Sequence, residues 1–476
     1  MNKLIHDIDV LDVRGDPAST EVTAVDFDSR LVGPGSLFCC IPGGHTDGHR
    51  HAAHAVTGGA TSLLCDRFLD LDVTQVRVAA GALRPAMAAV ASAFNGHPSR
   101  SMKMVGVTGT NGKTTVTQLV RSILAHSGRP TGVIGTLGGS RTTPEAPVLQ
   151  AQLAALRAGG ARAVAMEVSS HGLDQHRVDG IVFDVAAFTN LSRDHLDHHL
   201  TMDEYFEVKA RLFDPDTARA AAINVDDAWG RRLAERVAGH RVIPVQRSDA
   251  TDIVSVVGSS SFRWRGRPMS VPLSGVFNVD NAVMAATVAG ELGMDVDQIA
   301  AGLAGAAPIA GRMEVVSAGS PFTVLVDYAH TPAGLDVVLA AARELAGPGR
   351  VICLFGCGGD RDQGKRPEMG AAAARWSDSV VLTSDNPRSE DPGSIIGQIR
   401  PGIGDGVELV VEPDRARAID AAVGMAGPGD VVVIAGKGHE TSQVLADGVV
   451  PFDDRLEARR ALAERWPDPE AGGGRP

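Results

Sequence analysis

GVTGTNGKTT, residues 106–115, lies between an apolar run and the helical pattern TTVTQLVRSILAHSG. Its glycines let backbone N–H groups face phosphate oxygens, while Lys113 adds a cation near the β- and γ-phosphates and Thr114 can bind Mg²⁺. The spacing from Gly106 to Gly112 is one residue longer than in the common G-x-x-x-x-G-K-[ST] pattern. Because the run sits between a predicted strand and a predicted helix, we interpret it as a phosphate-binding loop rather than an ordinary glycine turn.

Strand-like runs rich in valine and alanine alternate with helical patterns on both sides of this loop. The runs after residue 100 are MKMVGVTGT, ARAVAMEVSS, FDVAAFTN, RAAAINVDD, FTVLVDYA, RVICLFGC, SVVLTSD, VELVVE and DVVVIAG. Such alternation predicts α/β units with parallel sheets, whose ligands bind at the carboxyl ends of the strands. The loop GHPSR and the stretch near Gly311 interrupt the alternation of strands and helices, so we predict domains at 1–100, 101–310 and 311–476.

Composition excludes several classes of protein. A chain of 476 residues with 45 basic and 57 acidic residues has a net charge of −12, which argues against a nucleic-acid-binding surface. No segment approaches the ~20 apolar residues of a membrane span, and the first residues do not resemble a signal peptide. The cysteines have no CxxC spacing, so we expect reduced thiols in a cytoplasmic protein.

Acidic and imidazole side chains follow two of the predicted strands. Glu167 ends the strand in AMEVSSHGL, and Asn190, Asp194, His195 and Asp197 lie in FTNLSRDHLDHH. Each carboxylate alone is more often a helix cap or a solvated turn residue. HLDHH alone would suggest zinc, but it lacks a thiolate, and the nearby phosphate loop favours Mg²⁺.

The joint order of many short motifs resembles the Mur ligase family, in its UDP-N-acetylmuramoyl-tripeptide synthetase branch. The motifs are DSR with PGSLF, TGTNGKTT, TTPEAP, EVSSHGL, FTNLSRDHLDHH, YFEVKARLF, NVDDAWG, LSGVFNVDNA, GRMEV, VDYAHTP, FGCGGDRDQGKRPEMG, SDNPRSEDP and AGKGHE. The resemblance implies an α/β fold of three domains, with a central P-loop-type parallel sheet and a C-terminal Rossmann-like sheet.

The resemblance also implies an activity. An ATP-dependent ligase would add meso-2,6-diaminopimelate to UDP-N-acetylmuramoyl-L-alanyl-D-glutamate through an acyl phosphate, using Mg²⁺, in peptidoglycan precursor synthesis. Such an enzyme is expected to be a cytoplasmic monomer that serves cell-wall biogenesis, cell shape and cell division.

Site residues follow from the same resemblance. Those implied in catalysis are Lys113, Lys209, His195 and Arg312, and those implied in metal binding are Thr114, Glu167, His195 and Lys209. Those implied in ATP binding are Gly109, Thr110, Asn111, Gly112, Lys113, Thr114, Thr115, Asn278, Asn281, Asp327 and His330. Those implied in binding the UDP-muramoyl-dipeptide are Ser29, Thr142, Thr143, Ser169, Gln175 and Arg177. In the family the lysine matching Lys209 is carbamylated and becomes an anionic ligand; the residues alone would favour a solvated helix lysine.

Amino-acid choice depends on DNPR, residues 385–388, the form that diaminopimelate-adding members carry. The guanidinium of an arginine there can donate two parallel hydrogen bonds to a carboxylate, a geometry that a lysine ammonium does not offer. Residues implied in amino-acid binding are Arg361, Asp385, Asn386, Arg388, Gly436 and Glu440. The short loop GTLGGSRTTPEAP leaves open a paralogue that adds L-lysine or another amino acid, or that acts in specialised metabolism. Folylpolyglutamate synthetases, P-loop kinases and non-enzymatic scaffolds fit the motifs less well.

Overall fold

The apolar run SLFC forms a buried strand of the N-terminal sheet, as its composition predicts. This computed structural model describes residues 1–43, 46–139, 141–316 and 320–466. The strands of the first sheet are β1 (Asp12–Arg14), β2 (Ala24–Asp26), β3 (Ser36–Cys39), β4 (Ser62–Cys65) and β5 (Thr74–Arg77). Their order is β1-β5-β4-β3-β2, and β1 is antiparallel to β5 while the other pairs are parallel.

Two helices cover opposite faces of this sheet. Alternate strand residues point to opposite faces, so Leu37 packs toward α2 (Leu83–Phe94) and Phe38 packs toward α1 (Ala52–Thr57). Both strand residues are essentially inaccessible to solvent. The first domain is therefore a small three-layer unit.

The central sheet has six strands, all parallel. They are β6 (Lys103–Thr108), β7 (Thr131–Ile134), β8 (Ala163–Glu167), β9 (Val185–Phe188), β10 (Ala221–Asn224) and β11 (Val242–Val245). The order β11-β10-β9-β6-β8-β7 puts β6 inside the sheet, between β8 and β9. The phosphate loop leaves the carboxyl end of β6, so the ends of β8 and β9 flank it.

Helices cover both faces of the central sheet. They are α3 (Lys113–His126), α4 (Ala146–Ala158), α5 (Ser170–Asp174), α6 (Leu196–His199), α7 (Met202–Ala210), α8 (Ala228–Arg236), α9 (Val276–Glu291) and α10 (Val296–Ala304). Val105 packs with α3 and α9 on one face, and Met104 packs with residues of α4 and α7 on the other. This double burial explains why β6 reads as a continuous apolar run.

A three-stranded antiparallel sheet follows β11 and was not predicted from the sequence. Its strands are β12 (Ala250–Val256), β13 (Ser259–Trp264) and β14 (Arg267–Val271). One face is exposed, so buried and exposed residues alternate along β13. Phe262, Trp264 and Met269 on the buried face pack against the α3–α9 side of the central core.

The C-terminal sheet has the predicted Rossmann-like character. Its strands are β15 (Glu314–Val315), β16 (Thr323–Asp327), β17 (Val351–Phe355), β18 (Ser379–Leu382), β19 (Glu408–Val411) and β20 (Val431–Ala435). The order is β15-β16-β20-β17-β18-β19, and β15 is antiparallel to β16. A hairpin of β21 (Ser442–Leu445) and β22 (Gly448–Pro451) lies outside this sheet. The predicted fold class, three α/β domains with two parallel sheets at the centre and C-terminus, is confirmed.

Helices α11 (Pro332–Ala346), α12 (Lys365–Trp376) and α13 (Pro392–Ile399) pack on one face of the C-terminal sheet, and α14 (Arg415–Met425) and α15 (Asp454–Arg465) pack on the other. Helix α11 begins where its sequence predicts, because the Thr331 side chain caps the Gly334 N–H and Pro332 occupies the first turn. No helix in the described part of the chain is long and apolar enough to cross a membrane. All five cysteines are buried free thiols.

Candidate active site

The phosphate loop lines a cavity of about 470 Å³ between the central and C-terminal domains. Gly112 has a left-handed φ of 87°, and Gly109 has a φ of 143°. A Cβ on Gly109 would lie 1.9 Å from the Thr189 Oγ1 atom, so no side chain fits there. The Nζ atom of Lys113 donates to the carbonyls of Gly109 and Thr110 at 2.9 and 2.8 Å. The ammonium group therefore lies within the curve of the loop.

The segment after β9 braces this loop from the side. The Thr189 hydroxyl donates to the Asn111 carbonyl at 2.6 Å, and the Asn190 side-chain oxygen accepts the Asn111 N–H at 2.9 Å. The Asn190 amide also donates to the Asn111 carbonyl, at 3.3 Å. Asn190, predicted near the metal, is used here to shape the loop.

Four polar residues meet beside Lys113 at the end of β8. Glu167 is 1% exposed, and its carboxylate accepts the Thr114 hydroxyl at 3.0 Å. The same carboxylate accepts the N–H and the hydroxyl of Thr136 at 2.9 and 3.0 Å. The Arg312 Nη2 atom, from the C-terminal side, donates to the Thr114 hydroxyl at 2.9 Å. The phosphate loop, the acidic end of β8 and the interdomain Arg312 therefore meet at one place.

The oxygens of Thr114 and Glu167 form a donor pair that suits a hard cation such as Mg²⁺. Within the described residues, no group of three or more His, Cys, Asp or Glu side chains converges as a complete metal site. A metal held here would therefore need phosphate and water oxygens to complete its coordination. This matches the usual behaviour of Mg²⁺, which keeps several waters and binds substrate phosphates.

Lys209 is a buried lysine, not a solvated one. It is 1% exposed on α7, and its Nζ atom donates to the Gly109 carbonyl at 3.0 Å and the Thr108 hydroxyl at 3.3 Å. Burial, reinforced by the charge of Lys113, lowers the pKa of Lys209 well below its ordinary value. The shift favours the neutral amine over the ammonium form, within reach of the phosphate loop.

Asp194 lies between the two domains in a group of basic side chains. Its carboxylate is 3.4 Å from His195, 3.8 Å from His330 and 3.7 Å from the Lys365 ammonium. Burial alone would raise the pKa of Asp194, but these neighbours hold it well below its usual range. Burial lowers the pKa of His195 to about 3, with Asp194 acting in the opposite direction. Asp194 is therefore anionic and His195 neutral near pH 7.

The far end of the cavity is apolar, with a polar floor. Its apolar wall includes Phe277, Val283 and Val337. Asn278 is 0% exposed, and its amide donates to the Ser274 carbonyl at 2.8 Å while its oxygen accepts the Asn281 amide at 3.1 Å. An apolar slot edged by amides suits a flat heterocyclic base.

Asp327 and His330 follow β16 on the C-terminal wall of the cavity. The Asp327 carboxylate accepts the N–H groups of Met313 and Ala329, each at 2.8 Å, and burial raises its pKa. The His330 Nδ1 atom bonds the Tyr328 carbonyl at 2.8 Å. These contacts fix the strand end opposite the phosphate loop.

Most residues predicted to bind the UDP-muramoyl-dipeptide form a hydrogen-bonded series that runs from the cavity, and Ser29 lies apart from it. Thr142 and Ser169 line the nucleotide cavity, beside the phosphate loop. Thr143 is 1% exposed and joins Glu167 to Ser169, and Arg177 donates to the Thr143 carbonyl at 2.8 Å. Two others lie farther away: Gln175 accepts a hydrogen bond from Arg177, and Ser29 lies in the N-terminal domain between Asp28 and Arg30.

The predicted amino-acid residues form a second cluster at the carboxyl ends of β18 and β20. The Asn386 amide donates to Glu440 at 2.9 Å, and the Lys437 ammonium donates to Asn386 and Glu440 at 2.9 and 3.0 Å. Asp385 is 3.7 Å from Lys437, and Gly436 adjoins it with a φ of 113°. Lys437 is fully buried and was not predicted; only its position inside AGKGHE could have indicated it.

Arg361 and Arg388 flank this cluster. Arg388 donates to the carbonyls of Gly359 and Asn386 at 2.8 and 3.4 Å, and Arg361 donates to the Asp360 carbonyl at 3.1 Å. Across the described residues, neither guanidinium has a carboxylate within 4.0 Å. Burial first, and then the charge of Arg361, lowers the pKa of Arg388. The cluster thus presents two cations with unused donors.

An interdomain contact that the sequence did not predict lies next to Asp194. Arg193 donates to Asp362 at 3.1 and 3.2 Å and to Glu368 at 2.9 Å. The residues are more than 160 positions apart in the chain, so no local pattern could show the pairing. The contact ties the segment after β9 to the start of α12.

The chain has three domains. A phosphate loop faces an acidic strand end, and a separate cluster presents two arginines with unused donors. Together these features define a nucleotide-dependent ligase. Residues 21–100 match the Mur ligase family catalytic domain, residues 107–289 the Mur ligase middle domain, and residues 311–438 the Mur ligase glutamate ligase domain. The chain belongs to the Mur ligase family, and the resemblance seen in the sequence is confirmed.

Individual relatives agree with this assignment. A UDP-N-acetylmuramoyl-L-alanyl-D-glutamate–2,6-diaminopimelate ligase of Gloeobacter violaceus is 44% identical over 483 residues, which is 96% of each chain. A solved structure of a ligase with that name has 31% identity and a TM-score of 0.66, covering 97% of this chain and 98% of its own. The MurF ligase of Thermotoga maritima in complex with ADP has 18% identity and a TM-score of 0.67, covering 95% and 100%, and shares the fold.

Proposed function

We propose that this chain is the ATP-dependent ligase that adds meso-2,6-diaminopimelate to UDP-N-acetylmuramoyl-L-alanyl-D-glutamate, a step of peptidoglycan precursor synthesis. The observation that carries the proposal is the pair of guanidiniums at Arg361 and Arg388, which have no carboxylate partner in the described chain. Diaminopimelate differs from lysine by one distal carboxylate, so its selection needs such a partner. The names of the relatives agree with this substrate.

The first half-reaction would take place at the phosphate loop. ATP would lie in the cavity, its base in the apolar slot beside Asn278 and Asn281 and its ribose near Asp327. A carboxylate oxygen of the acceptor would attack the γ-phosphorus, forming an acyl phosphate and releasing ADP. Lys113 and Arg312 supply fixed positive charge where the phosphoryl oxygens gain negative charge.

The remaining backbone of the loop would cradle the phosphates through its N–H groups. The residues proposed for this contact are Gly109, Thr110, Asn111, Gly112 and Thr115, with His330 at the opposite wall. Thr114 and Glu167 would hold Mg²⁺, which neutralises phosphate charge when bound.

Lys209 and His195 would support a second cation. A neutral lysine amine adds to CO₂, forming a carbamate N–C bond and losing a proton, which converts a cation into an oxygen anion. The lowered pKa of Lys209 favours the neutral amine that this reaction needs. His195, neutral because burial lowers its pKa, keeps a ring nitrogen free to bind a metal.

The second half-reaction would use groups from both the central and the C-terminal domain. The amine of diaminopimelate attacks the acyl phosphate carbonyl, and inorganic phosphate leaves. Asp385, Asn386 and Glu440, beside Gly436, would orient the ammonium end of the amino acid. Arg388 and Arg361 would bind the distal carboxylate.

The acceptor would reach this point from the N-terminal side. We propose that residues 1–100 bind the UDP part through Ser29, that residues 101–310 bind ATP, and that residues 311–476 bind the amino acid. Residues proposed to position the muramoyl-dipeptide are Thr142, Thr143, Ser169, Gln175 and Arg177.

A competition assay tests the proposal. With ATP, UDP-muramoyl-dipeptide and both amino acids, we expect at least a ~100-fold preference for meso-diaminopimelate over L-lysine, because hydrogen bonds to charged groups contribute about 1.5–3 kcal/mol each. Arg388→Ala should lose most of that preference, and Arg460→Ala, a surface arginine on α15, should retain it. Equal use of lysine by the wild-type enzyme would contradict the substrate, and no turnover with either would contradict the reaction.

A further inference from the structure

The loops that carry the two unpaired arginines are joined by an ion pair between a buried arginine and a partly exposed glutamate. Arg361 follows β17 and Arg388 follows β18, and these strands are parallel neighbours. Arg366, 0% exposed on α12, donates to both oxygens of Glu390 at 2.8 and 2.9 Å. Glu390 lies two residues after Arg388, so the ion pair joins α12 to the second loop.

The same pair also holds the first loop. The Arg366 Nη2 atom donates to the Gly358 carbonyl at 3.2 Å. The Glu390 carboxylate accepts the backbone N–H of Asp360 at 2.6 Å. Each member of the pair therefore has a direct bond to the loop that carries Arg361.

Close packing leaves little freedom between the loops. The Gly359 N–H donates to the Asn386 carbonyl at 2.9 Å, and a Cβ on Gly359 would lie 1.9 Å from the Pro387 carbonyl oxygen. A Cβ on Gly358 would lie 2.9 Å from Arg388 Nη1 and 3.8 Å from Arg361 Cγ. The two arginines therefore flank the same glycine, and their like charges repel. Arg388 also has a left-handed φ of 54°, a strained conformation that needs support.

Stability alone does not account for this arrangement. Burying the Arg366 guanidinium costs desolvation free energy that its attraction to the partly exposed Glu390 carboxylate offsets only in part, so the ion pair gives little net stability against an apolar replacement. A role in fixing the geometry of ligand-binding groups explains the ion pair better than a contribution to stability does, because such groups depend on rigid neighbours.

We propose that Arg366 and Glu390 are positioning residues that set the separation of Arg361 and Arg388 and thereby select an amino acid with a second carboxylate. The inference rests on the proposed function, since it concerns how that substrate is recognised. Neither residue touches the amino acid; both act through the loops they join.

Steady-state kinetics of the full-length enzyme test the inference. In Glu390→Gln, which keeps the shape and removes the charge, we expect the KM for meso-diaminopimelate to rise about tenfold or more, because small displacements of positioned groups have large effects. We expect the KM for ATP to change by less than about twofold, and the preference over L-lysine to fall with the diaminopimelate KM. Glu390→Asp, which restores the charge, should recover part of the preference.

Two further variants keep the test decisive. Ser389→Ala removes only the exposed hydroxyl bond to Asp360, at 2.6 Å, and should shift the preference in the same direction by a smaller factor even if Glu390→Gln does not fold. Asp430→Asn breaks a matched pair with Arg350, at the amino ends of β17 and β20 and away from the arginine loops, and should leave the preference unchanged. Folded Glu390→Gln or Ser389→Ala with wild-type preference would overturn the positioning role. A wild-type enzyme that does not prefer diaminopimelate would instead refute the proposed function.

Discussion

At the scale of single residues, burial determines the chemistry of this site. Glu167, Asp194 and Lys209 are each at most 6% exposed, yet their surroundings differ. Asp194 has basic neighbours, among them the Lys365 ammonium, so its pKa falls despite burial. Lys209 has only neutral acceptors at hydrogen-bond distance and a second lysine nearby, so its pKa falls as well. One group is thereby held anionic, while the other is shifted toward the neutral, reactive amine.

Lys113 provides the first prediction at this scale. Its ammonium group is held by two loop carbonyls and faces the cavity, so Lys113→Ala removes positive charge where the phosphoryl group would pass. We expect ATP-dependent ligation to fall by about a hundredfold or more, because fixed charge is a large part of phosphoryl-transfer catalysis. Lys103→Ala, at the exposed start of β6, is the matched control. Phosphate release at a near-normal rate in Lys113→Ala would refute the phosphate-loop assignment.

Lys209 provides the second prediction at this scale. If it is carbamylated, enzyme equilibrated with ¹³C-bicarbonate should give a carbamate carbon resonance that is missing in Lys209→Ala. The variant should be inactive, because it loses the proposed oxygen ligand, and small carboxylates such as acetate should restore part of the activity. A folded wild-type enzyme with full activity and no carbamate resonance would show that the unmodified amine suffices.

At the scale of elements, the sequence predicts strands that are buried on both faces. The cores of β6, β8, β9 and β10, and of the parallel C-terminal strands, read as apolar runs, and each is found. The edge strands β7 and β11 are short and only half-buried, and each contains a glycine or a proline that interrupts the apolar run, so they were not predicted. The β12–β14 sheet was not predicted, because its buried and exposed residues alternate and form no continuous apolar run.

The same reasoning separates the site residues that a sequence pattern can predict from those that it cannot. Glu167 and Asp194 could be found because polar residues at the ends of buried strands are a local pattern. Lys437, Glu390 and Arg193 could not, because their importance comes from partners that only the fold brings near. Arg193, for example, meets Asp362 across 169 positions of sequence. Local patterns find the residues that face a ligand, and the folded structure is needed to find those that support them.

At the scale of the whole molecule, the two proposed ligand sites lie on different domains and would have to approach each other. Apart from the buried contacts of Asp194, the ion pairs that join these domains lie near the surface and are weak one by one: Arg193, with its side chain 37% exposed, pairs with Asp362 and Glu368. Exposed ion pairs contribute roughly 0–1 kcal/mol. Such contacts cannot fix one arrangement without ligands, so the arrangement should depend on what is bound.

We therefore predict hinge closure near residues 309–312, where the chain passes from the central to the C-terminal domain and Arg312 reaches Thr114. ATP phosphates between Lys113 and Arg312 would add the attraction that the surface pairs lack, and loops between rigid units absorb such changes. Solution scattering should show a smaller radius of gyration with a non-hydrolysable ATP analogue and UDP-muramoyl-dipeptide than without ligands. Arg193→Ala should need more ligand to reach the same compact profile, and Arg219→Ala, an exposed arginine within the central domain, should not. Superimposable profiles with and without ligands would rule out closure, leaving the amine and the acyl phosphate to meet without domain movement.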